Sequence, residues 1–214
     1  PAISPDGRRV AYRARRSDGM PLLWAPYLAS GEAQPLAGTE DASLPFWSPD
    51  GLRIGFFAAG AVRAFDVAST RVTEVTSAET PRGATWNASG DLVFAGSAQG
   101  GLTFRATDGT TRALTSLDTA AGELAHVFPV FLPDGEHIVF FVHATAEAQA
   151  RQGVWMASTT DPSRRERLVG TASHAVVSGG RLVFSNDGAL VTQDLDVAAR
   201  RLTGRATVLG VSVG

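Results

Sequence analysis

Apolar residues come along this chain in short runs that end on an aromatic. The runs are Val10-Ala11-Tyr12, Ile54-Gly55-Phe56, Leu92-Val93-Phe94, Ile138-Val139-Phe140 and Leu182-Val183-Phe184. A turn closing on glycine precedes each run, and before the turn stands another apolar residue: Ile3, Trp47, Trp86, Phe131 or Val176. A third apolar run follows, opening at Leu23, Val62, Leu102, Val154 or Leu190. These segments are too short for helices and rich in Val, Ile, Phe and Trp, so they predict strands. Residues 61–67 alternate, as a half-buried strand should. A closing strand is predicted in each unit, at Gln34–Leu36, Val72–Val75, Arg112–Leu114, Arg167–Val169 and Arg201–Thr203.

The closing glycines, Gly7, Gly51, Gly90, Gly135 and Gly180, fall 44, 39, 45 and 45 residues apart. The turn is Ser-Pro-Asp-Gly at residues 4–7 and 48–51 and Leu-Pro-Asp-Gly at 132–135, with weaker copies at 87–90 and 177–180. Proline presets the first corner, aspartate caps it and glycine takes the left-handed position after it, which makes a hairpin. A four-stranded unit repeated every 40–45 residues or so is the signature of a propeller blade. The expected fold is therefore all-β, one propeller domain over residues 1–214. Its expected blades are 1–38, 39–78, 79–117, 118–170 and 171–209, with 210–214 opening a further blade. A meander buries its faces only against its neighbours, so Tyr12, Phe56, Phe94, Phe140 and Phe184 are expected between blades.

Composition narrows the chemistry. The net charge is −2 and all nineteen basic residues are Arg. Near-neutral charge argues against a nucleic-acid partner. Without Lys there is no P-loop lysine or Schiff base, and without Cys no disulfide, thiolate nucleophile or Cys-held metal. No apolar run approaches the roughly 18 residues of a membrane helix. No G-x-S-x-G, HExxH or dinucleotide-binding glycine loop is present. The expectation is a chain with no catalytic residue, cofactor or metal of its own.

The pattern W-SPDG-x-x-I-x-F, carried by Trp47 to Phe56, resembles the TolB-type, WD40-like propeller repeats of bacteria. Residues 35–57 and 122–135 are similar to the propeller that follows the kinase domain and membrane helix of many bacterial Ser/Thr receptor-type kinases. The resemblance covers essentially the whole chain. It implies a six-bladed ring, of which the five repeats here would be a fragment. It also implies a non-catalytic, extracytoplasmic (periplasmic) sensor whose parent is membrane-anchored, while this segment touches no membrane. The alternatives are a periplasmic TolB-like scaffold binding an envelope lipoprotein, and the gating propeller of a prolyl-oligopeptidase-like hydrolase.

In such a ring the links between blades share one face with the links between second and third strands. The SPDG turns occupy the other face, where their acids Asp6, Asp50 and Asp134 serve as scaffold. The inter-blade links repeat an acid: Glu40 and Glu79 each stand seven residues before a Trp, and Glu123 eight before Phe131. A ring of carboxylates would bind a cation, a basic ligand or a partner; alternatively each Glu accepts backbone N–H groups of its own loop. Asp41, Arg82, His126 and His174 complete the candidate face for a protein or small-molecule ligand. His137 and His143 lie about 20 Å apart along one strand and cannot chelate one ion together. Long loops at 13–19 and 144–153 are further candidates for binding. The cluster Arg164-Arg165-Glu166-Arg167 reads as a solvated outer edge.

Overall fold

The computed structural model describes residues 1–26, 33–98 and 100–211, and almost all of its regular structure is extended. Five antiparallel sheets follow one another along the chain. The first holds β1 (Ala2–Ile3), β2 (Val10–Arg15) and β3 (Pro21–Trp24); the second holds β4 (Ser43–Trp47), β5 (Arg53–Ala58), β6 (Ala61–Asp66) and β7 (Val72–Ser77). The third has β8 (Ala84–Trp86), β9 (Leu92–Phe94), β10 (Thr103–Arg105) and β11 (Thr111–Ala113). The fourth has β12 (Glu123–Phe131), β13 (His137–Ala144), β14 (Gly153–Ser158) and β15 (Glu166–Val169). The fifth has β16 (Ala175–Ser178), β17 (Arg181–Asn186), β18 (Ala189–Asp196) and β19 (Arg201–Val211).

Each sheet is a meander in chain order, and the first strands of consecutive sheets adjoin, β1 with β4, β4 with β8 and β8 with β12. This is a five-bladed β-propeller. In blade 1 the predicted closing strand at Gln34–Leu36 is reduced to a bridge between Pro35 and Trp24, with the Leu36 N–H donating to Leu23 O at 2.8 Å. In blade 5 the last strand is long, and Gly210 and Val211 pair with Leu190 and Ala189.

The repeated turns form as their residues dictate. Gly7, Gly51 and Gly135 take φ near 70° (69°, 70° and 71°), and each N–H donates back to residue 4, 48 or 132. Asp50 accepts the Ser48 hydroxyl at 2.5 Å and the Leu52 N–H at 2.9 Å, and Asp6 sits alike on Ser4 and Arg8. Those serine bonds come first among the causes that hold both carboxyls below their ordinary range. The SPDG acids are scaffold, saturated by their own turns.

Four apolar clusters hold the blades together. Phe56 packs between blades 1 and 2, Phe94 between 2 and 3, Phe140 between 3 and 4, and Phe184 between 4 and 5. Burying a side chain of this size contributes about 1.5–3 kcal/mol. The fifth aromatic of the set, Tyr12, stays half-buried and joins none of them; among the described residues no apolar cluster covers that face of blade 1. Among the described residues no apolar cluster joins blade 5 to blade 1.

Polar staples reinforce the same interfaces. The Arg9 guanidinium lies 4.6 Å from the Trp47 ring centre and donates to Gly51 O. Arg53 repeats the stacking on Trp86 at 5.0 Å. The Trp47 indole N–H donates to Ala2 O at 3.0 Å, and the Asn87 amide to Gly135 O at 3.0 Å.

Candidate functional site on the link face

The two sets of links meet on one face. Asp41 N–H donates to Pro21 O, Ala78 N–H to Gly60 O, Arg82 N–H to Ala95 O and Thr145 N–H to Gly122 O. Each bond ties an inter-blade link to a second-to-third-strand link or, at Pro21, to the first residue of the third strand.

The three link glutamates go different ways. Glu40 is exposed; its Oε1 accepts its own loop's Gly38 N–H at 3.3 Å, and its charge acts on Arg16. Asp41, also exposed, takes a left-handed backbone at φ 58°. Glu79 is exposed and lines a cleft of about 360 Å³ between blades 2 and 3, with Thr76, Ser77, Gly96 and Ser97. Glu123 is buried at 1 % exposure between blades 3 and 4. Its Oε2 accepts the Asp118 N–H at 2.9 Å, the response of a glutamate to its own link.

Around Glu123 a buried polar cluster forms. His126, fully buried, places Nε2 3.1 Å from Glu123 Oε2 and Nδ1 2.7 Å from Thr115 Oγ1. Thr115 Oγ1 also accepts the Leu102 N–H of blade 3 at 3.0 Å. Arg165 Nη2 reaches Glu123 Oε2 at 2.9 Å, Arg165 Nη1 lies 2.9 Å from His126 Nε2, and the guanidinium stands over the Trp155 ring at 5.3 Å. Burial first, then the Arg165 charge, pushes His126 down to about 4, so the ring is neutral. Burial opposes ionisation of Glu123, but the Asp118 N–H and Arg165 win, and its carboxyl lies below the ordinary range. The segment 164–167 is therefore not simply a solvated edge: Arg165 turns inward. A buried carboxylate requires a cation, and Glu123 has Arg165; a separation of 42 residues hid the pairing from the sequence.

A second set of contacts involves Phe128. That residue occupies a bulge of β12, at φ 51° ahead of Pro129, and its N–H donates to Arg82 O at 2.8 Å. Leu44 repeats the arrangement ahead of Pro45 in β4, at φ 47°. The His174 ring lies 4.5 Å from the Phe128 ring. His143 meets Phe141 edge-on at 4.7 Å, and burial together with the nearby Arg82 charge lowers its pKa. Partial burial lowers His174 likewise. Beside His174, a cleft of about 510 Å³ opens between blades 4 and 5, lined by Gln149, Gln152, Thr171, Ser173, Asn186 and Asp187 among others.

Of the seven candidate residues, His174 meets the Phe128 ring and Arg82 bonds the Phe128 N–H through its backbone carbonyl, Glu123 and His126 meet in the buried cluster, and Glu40, Asp41 and Glu79 stand apart. His143 and Phe128 were not singled out for this face by sequence; their approach to the links depends on the bulge of β12. The loop 144–153 carries Arg151, 3.6 Å from Asp118, and Arg16 in the first loop pairs with Asp18. His137 pairs with Asp134 in its own hairpin. Among the described residues no three His, Cys, Asp or Glu side chains are grouped to hold a metal ion, and no helix is long and apolar enough to cross a membrane.

No family model and no curated protein matches the sequence. Solved structures do. TolB from Acinetobacter baumannii superposes with a TM-score of 0.73 at 16% identity, over 97% of this chain and 53% of that one. A putative TolB from Agrobacterium tumefaciens gives 0.66 at 20% identity, over 98% and 79%. An oligogalacturonate lyase in complex with manganese gives 0.65 at 14% identity, over 97% and 63%. The chain thus spans about half of the Acinetobacter protein and under two thirds of the lyase. Likeness at these identities is likeness of fold, and the fold of this chain is a TolB-like β-propeller.

Proposed function

We propose that this chain is a non-catalytic binding propeller that takes a protein or small-molecule ligand on its link face, as the extracytoplasmic sensor region of a bacterial receptor-type Ser/Thr kinase. The observation that carries the binding role is the open polar cleft of about 510 Å³ between blades 4 and 5, lined by Gln149, Gln152, Arg167, Ser173, Asn186 and Asp187, with links held by a rigid scaffold. The kinase context rests on the similarity of residues 35–57 and 122–135 to the propellers of such receptors. The superposition on two TolB structures favours a second reading, a periplasmic scaffold that binds an envelope protein through the same face.

The complete reading frame separates the two. A kinase domain and membrane helix ahead of this segment are expected for the sensor; a signal peptide followed by an α/β domain identifies the scaffold. A following G-x-S-x-G domain identifies a hydrolase gate. The lyase superposition makes turnover the companion test. Purified residues 1–214 should leave oligogalacturonate, peptides and esters unchanged, and any turnover abolished by a link-face substitution overturns the non-catalytic reading.

A further inference from the structure

We propose that the cleft between blades 4 and 5 binds a small zwitterion, an amino acid or short peptide, with its carboxylate at Arg167 and its ammonium at Asp187. This names a ligand class for the binding reading above and rests on it.

Blades 4 and 5 each supply one wall. Blade 4 gives Gln149 and Gln152 of the link between β13 and β14, and Arg167 of β15. Blade 5 gives Asn186, Asp187 and Gly188 at the hairpin between β17 and β18. The inter-blade link, residues 170–173, joins the walls. The Thr171 hydroxyl pins that link to blade 5 by donating to Ser185 O at 2.5 Å. Walls fixed before a ligand arrives lower the cost of binding it.

Arg167 is set in place by its own blade. Its Nε and Nη2 both donate to Gln152 O, at 3.1 and 2.6 Å. Its guanidinium lies so close to Gly170 that a Cβ there would stand 2.3 Å from Nη2. Nη1 makes no hydrogen bond among the described residues, and no carboxylate there pairs with Arg167. Across the cleft, exposed Asp187 holds the first corner of its hairpin at φ 47°, with Gly188 following at 76°. The Asp187 carboxylate has no hydrogen-bond or ion-pair partner among the described residues either.

One cation and one anion thus line a single cleft without neutralising each other. Elsewhere such neighbours pair: Arg16 with Asp18, Arg63 with Glu74, Arg165 with Glu123, Arg181 with Asp194. A ligand carrying both charges answers both walls, whereas a singly charged one answers one wall only. A guanidinium offers a planar fork of donors suited to a carboxylate, and a carboxylate accepts from an ammonium. The rest of the lining is amide, hydroxyl and glycine apart from Ala172, which suits a peptide unit and gives a ring nothing to stack on. Within it the Ser173 hydroxyl is buried without a partner, one hydrogen bond still to be made.

The test follows the backbone amide resonances of residues 1–214 during titration with glycylglycine, N-acetylglycylglycine, glycylglycinamide and neutral maltotriose. Glycylglycine should give saturable shifts at Gly170, Ser173, Asn186 and Gly188, while Phe56 in its distant core stays still. The acetylated form lacks the ammonium and the amide form the carboxylate. Each should bind about tenfold more weakly or worse, the scale of one charge-assisted bond. Arg167→Gln should weaken glycylglycine by a like factor and leave glycylglycinamide unchanged. Asp187→Asn keeps a residue that tolerates the left-handed turn; it should weaken glycylglycine and leave N-acetylglycylglycine unchanged. Should Arg167→Gln disturb the amide spectrum at large, Asp187→Asn decides alone. Equal affinity for glycylglycine and its two blocked forms, or no shift with glycylglycine, overturns the assignment. If maltotriose alone moves these amides, the zwitterion falls and the binding cleft stands.

Discussion

Arg165 Nη2 lies 2.9 Å from Glu123 Oε2, with the two residues 42 positions apart, and neither group reaches bulk water freely. The guanidinium crosses Trp155 to get there. Truncating one partner leaves the other charge buried. Arg165→Ala should therefore cost about 3–5 kcal/mol in urea unfolding. The pair Glu123→Gln with Arg165→Met should cost less than Arg165→Ala alone, since no ion remains inside; a larger loss contradicts this account.

His126 makes stability depend on mild acid. Its folded pKa of about 4 lies below the ordinary 6.5, so the unfolded chain binds the extra proton. The stability it gives is complete above pH 6.5 and falls as pH drops toward about 4. Glu123, with its lowered pKa, adds a loss of the same sign below the ordinary glutamate range. Two and a half pKa steps correspond to about 3 kcal/mol. Urea midpoints between pH 4 and 7 should slope upward, and His126→Asn should flatten that slope between about pH 4.5 and 6.5.

Phe56 and Tyr12 hold the same place in the repeat and differ in surroundings. Phe56→Ala empties the core between blades 1 and 2 and should cost about 3–5 kcal/mol. Tyr12→Ala, on a face with no neighbour among the described residues, should cost about 1 kcal/mol or less. Equal costs would mean that blade 1 is covered on that side.

Gly101 is confined by close approach, since a Cβ there would stand 2.1 Å from Thr115 O. The same contact zone holds the Leu102 N–H on Thr115 Oγ1, which in turn faces His126. Gly101→Ala should destabilise the protein by about 1–3 kcal/mol and speed amide exchange at Leu102 in particular.

The repeat was legible because turn and strand chemistry are local. Proline, aspartate and glycine at fixed offsets announce the hairpins, and aromatics in register announce the layers between blades. The candidate site was legible only in part. Glu40, Glu79 and Glu123 occur at near-equal spacing, yet one is buried and two are exposed, because burial depends on what the next blade brings. Arg165 was read as surface because its partner is far off in sequence. Phe128 was invisible as a partner of Arg82 and His174, since a bulge and a positive φ decide where it points.

Among the described residues the four apolar clusters each join consecutive blades and none joins blade 5 to blade 1, so these clusters have the energetics of a short linear array. By these clusters blades 2, 3 and 4 are held from both sides, and blades 1 and 5, among the described residues, from one. In such an array stability is a sum of unit and nearest-neighbour terms, and opening starts at the terminal units. Amide protection should rise from blade 1 to blade 3 and fall again toward blade 5. The cleft between blades 4 and 5 would then sit where local opening begins to reach it. A ligand bridging its two walls would shift that boundary outward and slow exchange in blade 5, even at residues it never touches.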